Sequence, residues 1–226
     1  VESQKETKLH GKWYGDACGG AYAFELLGER WSALVVRELM FGGKRFNDIR
    51  AGLPGISAKA LTDRLGGLEA TRIVRRRLLP PPANIQVYEL TEWGMRCDEG
   101  LLALCRWSLA SPDWDRSLPV SSAAFLMSMR ALFDPQAAGN LTLDATLWIG
   151  IESFRLNVSG ARFRAERGGA ESPDFSIMAP DTGPLKRLFY GKALPERLAD
   201  AGLELAGNHK LAASFIDLFH LPAAEI

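Results

Sequence analysis

From Arg30 to Phe41 the apolar residues Trp31, Leu34, Val35, Val36, Leu39 and Met40 recur at helical spacing, and Gly42-Gly43 ends the run. A short helix is predicted before it, Ala17 to Gly28, closing at the LLGER turn. Another follows from Phe46 or Asn47, with Ile49 and Leu53 inward and Pro54-Gly55 as its stop. Ser57 suits the N-cap of a fourth helix, Ala58 to about Ala70. On it Leu61, Leu65 and Leu68 make one apolar stripe; Lys59, Thr62, Asp63 and Gly66 lie opposite, with Arg64 on the flank. Such a helix packs on one side and reads on the other. Two β-prone runs, Ile73 to Leu79 and Gln86 to Thr91, enclose PPPAN and predict a hairpin with a rigid tip. TEWGMRCDEGLLALCRWSLA then predicts a single helix with Leu101, Leu104, Cys105 and Leu109 on its apolar face, long enough to pair with a partner helix.

The pattern lapses in SLASPDWDRSLPVSS, where Ser, Pro and Asp separate two periodic regions, and a linker is expected there. SAAFLMSMRALF follows as an amphipathic helix with Phe125, Met129, Leu132 and Phe133 on one side. The runs ATLWIGI, SFRLNVSG and ARFRAERGG alternate with period two, Phe154, Leu156 and Val158 facing away from Arg155, Asn157 and Ser159. They predict an antiparallel meander with one solvated face. FSIMAP adds a strand and DTGPLKRLFYG a helix capped by Asp181 or Thr182. A last strand near Leu203 to Ala206 leads through Gly207-Asn208 into a helix with Leu211, Phe215, Leu218 and Phe219 inward. The expected organisation is a mainly α domain over 14–110, a linker over 111–121 and an α+β domain with an antiparallel sheet over 122–226.

Composition allows this: 226 residues at 47% hydrophobic can bury two ordinary cores. No run approaches the roughly 18 apolar residues of a membrane span, and VESQKETKLHGK has no apolar core of a signal sequence, so a cytoplasmic protein is expected. Cys18, Cys97 and Cys105 form no CxxC pair and no even disulfide set, which suits a reducing compartment. The formal net charge of zero hides an asymmetry: residues 1–111 carry 16 Lys+Arg against 13 Asp+Glu, and residues 112–226 carry 11 against 14. Between 44 and 77 nine basic residues, Lys44, Arg45, Arg50, Lys59, Arg64, Arg72, Arg75, Arg76 and Arg77, face only Asp48, Asp63 and Glu69. A charge run is commonly just a solvated face. Here it falls on a helix and a hairpin.

Three short helices, a basic hairpin and a trailing helix make a winged helix-turn-helix. An exposed helix of this kind enters a major groove about 12 Å wide while hairpin cations meet the phosphates beside it, so double-stranded DNA is the expected partner. Lys59 and Arg64 suit base edges or phosphates, and Asp63 either accepts from cytosine or orients a neighbouring cation. Lys44 and Arg45 belong to the same basic block. The stretches LLGERWSALVVRELMFGGKRFNDIRAGLPGISAKALTDRLGGLEATRIVRRR and YELTEWG resemble the HxlR-type, MarR-like winged-helix regulators of bacteria, over about Cys18 to Trp107. The resemblance implies a homodimer built from the N-terminal segment and the helix after the wing, bound to two half-sites of an operator and thus associated with the nucleoid. It carries over Ser57, Lys59, Thr62 and Arg64 as recognition-helix residues, and Arg75, Arg76, Arg77 and Asn84 as wing residues. Family members commonly have Cys-Pro near the start of the domain, sometimes as a redox or electrophile sensor; here Cys18 is followed by Gly19-Gly20.

The second half, with its AGLELAGNHKLAASFIDLFHLP ending, resembles the sterol-carrier-protein-like fold over about Ala123 to Pro222. That resemblance implies a cavity for a small apolar or aromatic effector, with Phe125, Met129, Phe133, Trp148, Phe154, Met178, Phe189, Phe215 and Phe219 as its lining; any one of them serves equally as plain core. Two alternatives stand beside the ligand-responsive regulator. One is a redox regulator switching through Cys18, and the other an apolar-ligand carrier whose winged helix only makes interactions. His10, His209 and His220 lack companions at metal-ligand spacing, and GxSxG, P-loop and Cys–His arrangements are missing from the sequence. No metal, no cofactor and no catalysis are expected.

Overall fold

The computed structural model describes residues 14–223. The residues before Tyr14, with His10 and much of the N-terminal segment expected to join a dimer, lie outside the described ones. The chain divides into two compact units, residues 1–98 and 99–226.

In the first unit α1 (Gly19–Leu27), α2 (Ser32–Leu39), α3 (Phe46–Ala51) and α4 (Ala58–Ala70) precede the hairpin of β1 (Val74–Leu78) and β2 (Gln86–Leu90). Helix α2 is shorter than its apolar pattern because Trp31 stands before it at φ 80 and the chain turns after Leu39. Val35 and Val36 are fully buried, whereas Leu34, expected inward, is 38% exposed. The stripe Leu61, Leu65 and Leu68 closes the core from α4, together with Ile49, Leu53 and Val87. Ser57 caps α4 as expected, its hydroxyl accepting from the Ala60 amide at 3.1 Å. Thr91 caps the short α5 (Glu92–Met95), accepting from Gly94 at 3.0 Å, and its hydroxyl donates back to the Arg72 carbonyl at 2.7 Å.

The helix expected from Thr91 to Ala110 is two helices. After α5 the chain breaks at Arg96-Cys97, and α6 (Asp98–Leu109) starts anew. Within α6 the buried positions are Leu102 and Leu109, seven residues apart on one face, while Leu104, expected inward, is 54% exposed. The division of the chain falls after Asp98, so most of α6 counts with the second unit.

The second unit continues with α7 (Ser122–Leu132), α8 (Pro135–Ala138), β3 (Leu143–Ile149), β4 (Glu152–Ser159), β5 (Arg162–Arg167), β6 (Phe175–Ala179), α9 (Thr182–Phe189), a 3-10 turn (Pro195–Ala201), β7 (Glu204–Gly207) and α10 (His209–Ile216). The strand order is β5-β4-β3-β6-β7. The meander β3-β4-β5 is antiparallel as expected, but β6 lies parallel to β3, so the sheet is mixed. The reason is the connection after β5. It crosses the sheet to the far side of β3 instead of closing a hairpin, and on the way the Ala170 amide donates to Thr146 Oγ1 at 3.0 Å. Asp181 caps α9, accepting from Gly183 at 2.7 Å, and Asn208 caps α10, accepting from Leu211 at 3.0 Å.

A candidate nucleic-acid interface and an aromatic core

Along α4 the structure separates the two faces foreseen from the pattern: Leu61, Leu65 and Leu68 are buried, and Ser57, Lys59, Thr62, Asp63 and Gly66 are exposed. Thr62 spends its hydroxyl on the Ala58 carbonyl at 3.0 Å. Arg64 is only 24% exposed and pairs with Glu29 at 3.0 Å, so it ties α4 to the turn before α2.

The wing is similarly divided. Register sets Arg75 opposite Glu89, Arg76 opposite Tyr88 and Arg77 opposite Val87. Arg75 and Arg77 both reach Glu89, at 2.7 Å each, while Arg76 reaches Glu69 of α4 at 2.8 Å. That hydrogen bond holds the Arg76 guanidinium protonated above its ordinary range, with Tyr88 and the Glu69 charge adding to it. Asn84 sits exposed at the tip with φ 43, a left-handed conformation that Asn tolerates better than most residues.

Lys44 requires a correction. It is a buried structural cation, not a surface one: its Nζ donates to Glu38 Oε2 at 2.9 Å, with 8% of Lys44 and none of Glu38 exposed. Its backbone exchanges hydrogen bonds with Tyr88 at 2.9 and 2.8 Å, which adds a bridge to the wing strand. Arg45, next to it, is exposed. Of the nine basic residues between 44 and 77, five therefore carry carboxylate partners: Lys44, Arg64, Arg75, Arg76 and Arg77. Reasoning from sequence missed Glu29, Glu38 and Glu89 because they lie outside the basic stretch; the two-residue alternation of QVYEL held the signal for Glu89.

Similarity to known proteins agrees with this geometry. Residues 26–113 match the family model described as HxlR-like helix-turn-helix. The Bacillus subtilis regulator YvaP is 37% identical over 87 residues, which cover 38% of this chain and 80% of YvaP. The chain belongs to the HxlR-like helix-turn-helix family. It is thus a transcriptional regulator of the DNA-binding helix-turn-helix type. The B. subtilis regulator YodB is 47% identical over 72 residues; they cover 32% of this chain, and the match spans 64% of the length of YodB. The solved reduced form of YodB is 36% identical, with 43% of this chain and 97% of that one covered at a TM-score of 0.39. Among the described residues no helix is long and apolar enough to cross a membrane.

The second unit lies almost wholly beyond the HxlR-like match. Phe125, Phe154, Phe175, Phe189, Phe215 and Phe219 are fully buried, and Met129 with them. Phe125 meets Phe189 at 5.8 Å, Phe189 meets Phe215 and Phe219 at 5.9 and 5.5 Å, and Phe133 meets Phe163 at 5.7 Å. Phe125, Phe189, Phe215 and Phe219 thus pack ring against ring, as do Phe133 and Phe163. Trp148 and Met178 do not join them. They are 39% and 37% exposed, and they pair across β3 and β6 on the other face of the sheet, because the alternation that sends Leu147 and Ile177 inward sends their neighbours out. The nine expected lining residues therefore do not line one cavity. Phe163 and Phe175, which the sequence reading passed over, do belong to the cluster. Beside it the hydroxyls of Ser128 and Tyr190 bond at 2.5 Å, and burial raises the Tyr190 pKa well above the ordinary phenol value.

The three thiols differ. Cys18 precedes α1 and is exposed; the amides of Ala21 and Gly20 favour its thiolate and lower its pKa from the ordinary 9.0. Cys97 donates to the Gly94 carbonyl, and burial with the neighbouring Asp98 charge pushes its pKa up to about 11. Cys105 is half-buried.

Proposed function

We propose that the protein binds operator DNA as a homodimer, one α4 per protomer in successive major grooves about 34–36 Å apart and the wings on the flanking backbone. The observation that carries this reading is the exposed polar face of α4, Lys59, Thr62 and Asp63, followed in the chain by a wing whose Arg75 and Arg77 stay exposed. Exposed apolar residues on the helices before and after the wing support pairing: Tyr22 and Phe24 on α1, Leu104 and Trp107 on α6. Fluorescence anisotropy on the DNA upstream of the protein's own gene tests it. Tighter binding there than to an unrelated fragment, falling steeply with salt, is expected; no binding at low salt overturns it.

The second unit, in this proposal, modulates DNA binding through a small apolar or aromatic effector. The ring cluster and the Ser128–Tyr190 hydroxyl pair beside it support an apolar ligand held by a few polar groups. Because the rings already fill one another, the effector must part them, and it acts only if it binds the two states unequally. Native mass spectrometry that finds the purified protein empty, with no shift in DNA affinity on adding apolar compounds, would leave the unit a packing or dimerisation module.

Cys18 favours a second reading, a thiol-switched regulator. Gly19 stands where the family's Cys-Pro would place proline, and the amides that favour the Cys18 thiolate are those of Ala21 and Gly20. An exposed cysteine whose thiolate is favoured by helix-start amides is chemically suited to oxidation or to attack on an electrophile. If this holds, Cys18→Ser abolishes the response to diamide or a quinone and leaves DNA affinity as it was.

A further inference from the structure

The three consecutive arginines of β1 divide between two faces. On one, Glu89 Oε1 accepts from Arg75 Nε at 2.8 Å and Nη2 at 2.7 Å, and Oε2 accepts from Arg77 Nε at 2.7 Å. The carboxylate lies beneath its partners, 13% exposed against 63% for Arg75 and 49% for Arg77. On the other face Arg76 donates Nε and Nη2 to Glu69 at 3.0 and 2.8 Å and lies over the Tyr88 ring at 5.5 Å. Side chains two apart on a strand stand about 6.6 Å from each other, and two guanidiniums at that spacing repel unless an anion lies between them. Each guanidinium has five N–H donors; Glu89 takes two from Arg75 and one from Arg77. The remaining donors belong to the exposed groups.

We propose that Glu89 is the positioning residue of the wing: it holds Arg75 and Arg77 side by side to meet two neighbouring phosphates of one DNA strand, while Arg76 is a strut between wing and α4 that meets none. This rests on the DNA-binding reading above. A planar guanidinium recognises phosphate through an oriented fork, and a fork already held by Glu89 loses less side-chain freedom on binding. The carboxylate thus aids the binding of an anion although its own charge opposes it.

The test measures the affinity of the full chain for a random-sequence duplex across a salt series, by anisotropy, with thermal melts confirming that each variant folds. Arg75→Ala and Arg77→Ala should each flatten the slope of log K against log salt by about 0.9. Arg76→Ala should weaken binding and leave the slope unchanged. Glu89→Gln removes a negative charge from the wing and should nonetheless weaken binding, by about three- to tenfold. Tighter binding by Glu89→Gln would show that the carboxylate merely competes with phosphate, and a flatter slope for Arg76→Ala would show that the strut is a contact; either overturns the proposal. If the wild type binds steeply with salt and all four variants match it, the wing assignment falls and the DNA reading stands. If the wild type binds no duplex at low salt, both fall.

Discussion

In residues 1–98 the buried positions include a carboxylate and an ammonium, Glu38 and Lys44, held 2.9 Å apart, whereas in residues 99–226 the largest buried groups are phenylalanine rings in mutual contact. The first unit is small and must hold a thin hairpin at a defined place, and directional pairs do that better than apolar contact. Glu38 anchors Lys44, whose backbone bridges the wing, and a Cβ on Gly52 would stand 2.3 Å from Glu38 Oε2, so the end of α3 closes over the same carboxylate. The second unit has a sheet face wide enough to be covered by rings, and non-directional burial suffices. The contrast also warns against reading composition as surface charge, because the basic stretch of the first unit is largely paired.

The largest effects are expected from substitutions in the two cores. Phe215→Ala is expected to cost about 3–5 kcal/mol in urea unfolding, while Trp148→Ala, on the outer sheet face, costs about 1 kcal/mol or less. Equal effects would show that the ring cluster is loosely packed, as an effector cavity requires. Glu38→Gln leaves Lys44 buried beside a neutral partner and should cost about 3 kcal/mol or more. Adding Lys44→Met should restore much of that loss, since a matched apolar replacement removes the stranded charge; no recovery would mean that the ammonium was not the source of the cost.

Two smaller effects sharpen the contrast between surface and core. Lys59→Ala should lower affinity for the upstream DNA by about tenfold and leave the unfolding midpoint unchanged, since the side chain is exposed. The thiols should separate by pH. Only thiolate reacts with iodoacetamide, so the Cys18 labelling rate should reach half its plateau below the ordinary 9.0, whereas Cys97 should rise only towards about 11. At mildly alkaline pH Cys18 is labelled first, and labelling of Cys97 at the same rate would contradict the burial that raises its pKa.

Much of the winged helix was legible because its signals are local. The stripe Leu61, Leu65 and Leu68 and the Ser57 cap placed α4 to the residue, and the alternation in β3, β4 and β5 placed the meander. The failures share one cause. The extra break at Arg96-Cys97, the parallel β6, and the exposure of Leu34 and Leu104 depend on what neighbouring segments do in space. No local window contains that information.

The sequence by itself determined which face of α4 points away from the core, since periodicity alone puts Lys59, Thr62 and Asp63 opposite the leucine stripe. Only the tertiary structure decided which cations are held by carboxylates, because Glu29, Glu38 and Glu89 meet Arg64, Lys44 and the Arg75–Arg77 pair across folds of the chain. Likewise the sequence supplied the rings of the second unit, and the sheet's two faces decided that Trp148 and Met178 stand apart from them. The physical reason is range: side-chain periodicity is set by the backbone over a few residues, whereas ion pairing and ring packing are set by distances that exist only once the chain has closed on itself.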